Sequence, residues 1–246
     1  MQLSRILKRL IMNKKVEIIP AILPITWKEV ENGVASIQGM VKSAQIDICD
    51  GKFAPNATWP YKKRDDTFEM MIREERGLPG WEGLDYEFDL MVSDPAEIVD
   101  DWVTVGATRI IIHAESNGIA EALGRLKDRV EIGLALNIET NINIIEPFKD
   151  AIKFVQCMGI RNVGFQGQIF DEAVIAKIRE VKCKYPELLI SVDGGVSLEN
   201  AKQLIDAGAD RLVVGSAIFD SENPIETLME LKDIACHSRE SGNPVY

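Results

Sequence analysis

Short runs rich in Val, Ile and Leu recur along the chain, and stretches of helical period follow them. Eight runs read as strands: 16–23, 45–49, 86–92, 108–113, 130–137, 151–158, 188–193 and 211–215. Amphipathic stretches such as 94–105, 171–185 and 197–207 read as helices between them. The last is the best marked. Ser197 can cap its N-terminus, Asn200, Leu204 and Ala207 follow at helical spacing, and Gly208 supplies a stop. Strand and helix in unbroken alternation imply a parallel sheet covered on both faces. Eight such units in a chain close to the ~250 residues usual for the fold favour closure over an open sheet. The expected fold class is α/β, a single (β/α)8 TIM barrel.

Val-Gly-Ala-Thr-Arg at 105–109 and Ala-Gly-Ala-Asp-Arg at 207–211 are one helix-stop-strand joint used twice, which argues for repeated units within one domain. The longest irregular stretch, 52–85, is rich in Pro, Gly and charge and holds a helix candidate at 65–75. It follows the second strand, so on a barrel it belongs to the face where ligands bind. Residues 1–15 are basic and partly apolar. They read as an N-terminal extension or a mis-assigned start, with Met12 as the alternative initiator. The barrel is expected over 16–235, with a disordered polar tail at 236–246.

The net charge of −11 excludes nucleic acid as the main partner, because a phosphate backbone needs clustered Lys and Arg. It does not exclude a small phosphate held by backbone amides. No run approaches the ~20 apolar residues of a membrane span, so no membrane partner is expected. Cys49, Cys157, Cys183 and Cys236 are far apart and form no Cys-x-x-Cys pair, which points to a reducing, cytoplasmic setting rather than to disulfides or a zinc cluster. The sequence does not fix the oligomeric state and is compatible with a homo-oligomer.

In a parallel barrel the C-terminal strand ends share one pocket. Those ends offer Ala21; Gln45 and Asp47, with Asp50 and Gly51 beyond; Glu87 and Asp89; His113 and Glu115; Asn137; Met158 and then Gly164-Phe-Gln-Gly167-Gln168; Asp193-Gly194-Gly195; and Gly215-Ser216. The glycines at 164, 167, 194, 195 and 215, with Ser216, form a candidate phosphate site, since a Cβ would block close approach of an anion to backbone N–H groups. Asp47 and Asp193, from opposite sides of the mouth, can serve as a general acid–base pair on the two faces of one carbon. Asp89 adds a third like charge, which requires a metal, a cation or a shared proton. Lys52 and Lys153 are candidate cations.

These motifs together resemble the ribulose-phosphate 3-epimerase family over roughly 16–219. The run from Ile46 to Asn56, Ile-Asp-Ile-Cys-Asp-Gly-Lys-Phe-Ala-Pro-Asn, is similar to the family's signature after strand two. Asp89-Leu-Met-Val92, His113-Ala-Glu115, Gly164-Phe-Gln-Gly-Gln168 with Phe170, Val192-Asp-Gly-Gly-Val196 and Val214-Gly-Ser-Ala-Ile-Phe219 match further strand ends in order. The resemblance implies a small phosphorylated sugar, a ketose 5-phosphate, inverted at C3 through an enediolate by Asp47 and Asp193. It implies a divalent metal held by those aspartates and two histidines, and no organic cofactor.

The chain departs from the family at the metal. Gln45 and Asp89 stand where the two histidines are usual, Ala21 replaces a serine, and the loop after Met158 carries one extra residue, Arg161. The resulting ligand set, Gln45, Asp47, Asp89 and Asp193, is all oxygen and favours Mg²⁺ or Mn²⁺ over Zn²⁺; loss of the metal site is the competing reading. Two further readings stand beside the epimerase: another barrel enzyme on a phosphorylated ligand, a lyase or isomerase, and a catalytically silent sugar-phosphate binder. The sister decarboxylases and synthases usually carry Asp-x-Lys on strand two, where this chain has Asp47-Ile-Cys49.

Overall fold

A computed structural model describes residues 15–63 and 65–238. Eight parallel strands close into a barrel in sequence order: β1 (Glu17–Ile22), β2 (Ser43–Cys49), β3 (Asp85–Met91), β4 (Arg109–His113), β5 (Glu131–Leu136), β6 (Phe154–Met158), β7 (Leu189–Asp193) and β8 (Arg211–Val214). β1 pairs with both β2 and β8, which completes the ring. All eight expected strands are present, with ends displaced by up to three residues.

The helices are α1 (Trp27–Ile37), α2 (Thr67–Ile72), α3 (Val99–Val105), α4 (Ile119–Leu126), α5 (Ala173–Lys184), α6 (Leu198–Ala207), α7 (Ser216–Phe219) and α8 (Pro224–His237). The 94–105 stretch is not one helix. Pro95–Glu97 forms a 3₁₀ turn and the α-helix restarts at Val99. Ser197 caps α6 as expected, its N–H donating to Asn200 Oδ1 at 2.9 Å. Helix α8 carries the ordered chain through His237, beyond the boundary expected at 235. The reading of 239–246 as disordered, and that of 1–14 as an extension, lie outside the described residues.

Strand side chains pointing outward, such as Ile46, Ile48, Phe88, Leu90 and Ile110, pack with the helices in the main core. Inside the barrel the residues are unusually polar. At its base Glu87 is fully buried and pairs with Arg211, while Arg109 reaches it at 3.5 Å and Ser43 Oγ at 3.2 Å. Arg211 also lies 4.3 Å over the ring of Phe154. That ring occupies the space that a side chain at Gly133 would fill, since a Cβ there would lie 2.4 Å from it. This closed layer gives the upper half of the barrel a fixed floor.

The long stretch after β2 is tied down rather than loose. Trp59 is fully buried and packs edge-on against Phe68 and Trp102. The Asp50 carboxylate accepts from the N–H groups of Lys52, Phe53 and Ser93, which fastens the β2 and β3 loops together and lowers its pKa despite partial burial. Asn56 Nδ2 donates to Gly164 O at 2.9 Å, joining this loop to the one after β6.

Candidate active site

The mouth of the barrel holds a small cavity lined by two kinds of residue. Glycine-rich loops contribute Gly164, Gly167, Gly194, Gly195, Gly215 and Ser216. Strand ends contribute Asp47 and Asp193, together with Met91 and Met158. All six residues expected around a phosphate thus line one cavity with the two aspartates. Three of those glycines are sterically required, the first being Gly164 (φ +83°), where a Cβ would lie 2.8 Å from Ala54 Cβ. Gly194 (φ +98°) would place a Cβ 2.7 Å from Ile160 Cγ1, and Gly195 (φ +67°) one 2.9 Å from Phe170 Cα.

Asp47 lies on the inward row of β2, one step before Cys49 at its end, and Asp89 is its register partner on β3. Asp193 ends β7. Alternation along each strand turns all three inward. Their oxygens lie within 4.8 Å of one another. Asp47 and Asp193 retain a little exposure to the cavity, whereas Asp89 and Gln45 are fully buried beneath it.

A continuous polar chain links these groups. Gln45 Nε2 donates to Asp47 Oδ1 at 2.7 Å and to Asp193 Oδ2 at 2.8 Å. Gln156 Nε2 donates to Asp89 Oδ2 at 3.0 Å and to Asp193 Oδ2 at 3.2 Å. His113 Nε2 lies 3.1 Å from Asp89 Oδ1, and the Phe53 ring packs 5.0 Å from the imidazole.

Charge and burial set the proton affinities. Desolvation, then Asp193 and Asp89, pushes the Asp47 carboxyl well above its ordinary range. Desolvation and Asp89 raise Asp193 to about 7. Burial alone would lower the His113 pKa, but the Asp89 carboxylate outweighs it and holds the imidazole up to about 10. The Asp89 carboxylate thus favours the protonated ring.

That finding corrects the sequence reading. Lys52 and Lys153 are exposed, and Lys153 sits just before β6, at the end away from the mouth. The basic side chain that reaches the carboxylates is His113. Glu87 points to the base of the barrel and its arginines rather than to the mouth, because it stands two residues before Asp89 on the same inward row. Glu115 and Asn137 also lie off the cavity; Glu115 accepts from Asn137 N at 3.0 Å and from Thr140 Oγ1. Gln156 was missed. A lone glutamine within the apolar run of β6 was the available signal.

The group fits a hard divalent ion. Its three carboxylates offer oxygen donors within 4.8 Å of one another. Two fully buried amide oxygens, Gln45 Oε1 and Gln156 Oε1, have no hydrogen-bond partner.

Together these features define a parallel (β/α)8 barrel with a carboxylate-centred site at the C-terminal strand ends, beside glycine-rich loops. Residues 17–219 match the Ribulose-phosphate 3 epimerase family, and the chain belongs to that family. It is 30% identical to the ribulose-phosphate 3-epimerase of Bacillus subtilis over 88% of this chain and 98% of that one. It is 31% identical to the enzyme of the same name from Aquifex aeolicus, over 87% and 95%. Among solved structures, 3-hexulose-6-phosphate synthase from Salmonella typhimurium superposes with a TM-score of 0.69 at 13% identity, over 90% of this chain and 99% of that chain, a likeness of fold. Among the described residues, no helix is long and apolar enough to cross a membrane.

Proposed function

We propose that this chain is a sugar-phosphate epimerase that inverts C3 of a ketose 5-phosphate such as ribulose 5-phosphate. The observation that carries the reading is the shared cavity, which Asp47 and Asp193 line together with Gly164, Gly167, Gly194, Gly195, Gly215 and Ser216. The glycine-rich loops admit a phosphate to within hydrogen-bonding distance of backbone N–H groups. Anchored there, the sugar extends its C3 between the two aspartates.

Inversion needs one carboxylate to take the C3 proton and one carboxylic acid to return a proton to the opposite face. Two raised, mutually repelling carboxyls satisfy this by sharing one proton between them. Gln45 donates to both and fixes their spacing. Removal of the proton generates an enediolate, so negative charge develops beside the cluster. Asp47, Asp89 and Asp193, with the Gln45 amide turned to present Oε1 in place of Nε2, would hold a divalent ion, Mg²⁺ or Mn²⁺ in preference to Zn²⁺. Such an ion supplies positive charge to the developing oxyanion. His113, 3.1 Å from Asp89 and two residues nearer the C-terminal strand ends, sets a basic ring beside that carboxylate.

Asp47→Asn and Asp193→Asn each remove one proton carrier while keeping shape. Each should lower turnover of ribulose 5-phosphate by about 10² to 10⁴-fold. Both should still bind the sugar phosphate by calorimetry. Unchanged turnover in both variants would refute the acid–base assignment.

A further inference from the structure

We propose that Gln156 is itself an oxygen ligand of the divalent ion, so that five side chains from four strands hold it: Gln45, Asp47, Asp89, Gln156 and Asp193. The inference rests on the metal reading given above and adds a ligand to it.

Gln156 stands in the middle of β6 with no solvent exposure, between Val155 and Cys157. Interior layers of such barrels are mostly filled by branched apolar side chains. A buried amide costs stability unless its donors and acceptor are all engaged. Here Nε2 is engaged by Asp89 and Asp193, while Oε1 has no partner. Gln45 repeats the arrangement, with Nε2 on Asp47 and Asp193 and Oε1 unpartnered. Two amides thus flank one oxygen, Asp193 Oδ2, from two sides.

The ends of an amide are nearly equal in size, and a half-turn about the terminal bond exchanges them. Turned so, each glutamine would set its Oε1 against two carboxylate oxygens at the separations now held by nitrogen, 2.7 and 2.8 Å for Gln45 and 3.0 and 3.2 Å for Gln156. Oxygens so close repel unless a cation lies between them. Around a six-coordinate Mg²⁺ with ligands at about 2.1 Å, neighbouring oxygens sit about 3 Å apart. The observed spacings are those of adjacent corners of such an octahedron.

The test measures Mn²⁺ binding to the full chain after chelator treatment. Free Mn²⁺ is read by electron paramagnetic resonance, and water-proton relaxivity reports open coordination positions. The wild type should bind one ion. Gln156→Leu should weaken binding at least ~10-fold and raise the relaxivity of the bound ion as water takes the vacated position. Gln156→Glu, which keeps an oxygen at the same reach, should bind at least as tightly as wild type. If Gln156→Leu does not fold, Gln156→Asn takes its place: its oxygen falls one methylene short and should give the same loss. A wild type that binds no Mn²⁺ would refute the metal reading and this proposal together. A wild type that binds one ion, with Gln156→Leu or Gln156→Asn matching it in affinity and relaxivity, would overturn the ligand assignment alone.

Discussion

His113 Nε2 stands 3.1 Å from Asp89 Oδ1, and neither side chain has any solvent exposure. The pair anchors a site whose other titratable groups are carboxyls. Replacing His113 with Gln should therefore leave Asp89 as an uncompensated buried charge. The expected loss is about 3 kcal/mol or more, read as a drop in the denaturant midpoint.

The same pair gives a pH signature. The folded value of His113, about 10, lies above the ordinary ~6.5 of an imidazole. A group raised on folding contributes its full stability below its unfolded pKa and loses it as pH climbs through the folded one. In chelator-treated protein, stability should fall from near pH 7 toward pH 10. Asp193, raised to about 7, adds a fall of the same sign at lower pH, between about 4 and 7. In His113→Gln the upper slope should flatten while the lower one persists. Equal slopes above pH 7 in both proteins would show that His113 is neutral in the fold.

Restoring imidazoles should change metal preference. The double variant Gln45→His, Asp89→His replaces two oxygen donors with two nitrogen donors. It should bind Zn²⁺ at least ~10-fold more tightly relative to Mn²⁺ than the parent does, because nitrogen ligands suit zinc and carboxylates suit harder ions. Competition binding with a chelating dye reads this directly.

The cavity glycines should respond unevenly. Gly194→Ala meets both a left-handed backbone and Ile160. It should cost about 2–4 kcal/mol in stability and also weaken phosphate binding. Gly215 has an ordinary φ of −95°, and a Cβ there would have as its nearest neighbour the amide nitrogen of the flexible Gln166 side chain, at 3.0 Å. Gly215→Ala should therefore keep stability within about 1 kcal/mol of wild type yet raise KM. Melting curves and steady-state kinetics separate the two effects.

The barrel base should matter for stability alone. Glu87→Ala leaves Arg211 buried without its main partner, though Glu17 remains at 3.4 Å. A loss near 3 kcal/mol is expected, with KM unchanged in the folded fraction.

The eight strands were legible because each is an apolar run set off by turns, and a closed barrel is the economical solution for eight parallel strands. The cavity glycines were legible for a similar reason: residues 194, 195 and 215 follow strand ends, and topology brings strand ends together. What strand alternation could not supply was depth. Glu87 and Asp89 share one inward row, but only the closed barrel shows that one meets arginines at the base and the other the carboxylates above. Gln156 and His113 escaped assignment because their meaning lies in partners 67 and 24 residues away in sequence, brought together only by closure.

The central claim is that Asp47 and Asp193 exchange the C3 proton of a phosphorylated ketose. Nuclear magnetic resonance of ribulose 5-phosphate in D₂O, with purified protein and Mn²⁺, tests it most directly. The account predicts deuterium at C3 together with appearance of the C3 epimer, both lost in Asp47→Asn and in Asp193→Asn. Protein that binds the sugar phosphate but leaves the C3 proton in place, across ribulose 5-phosphate and related ketose phosphates, would contradict it.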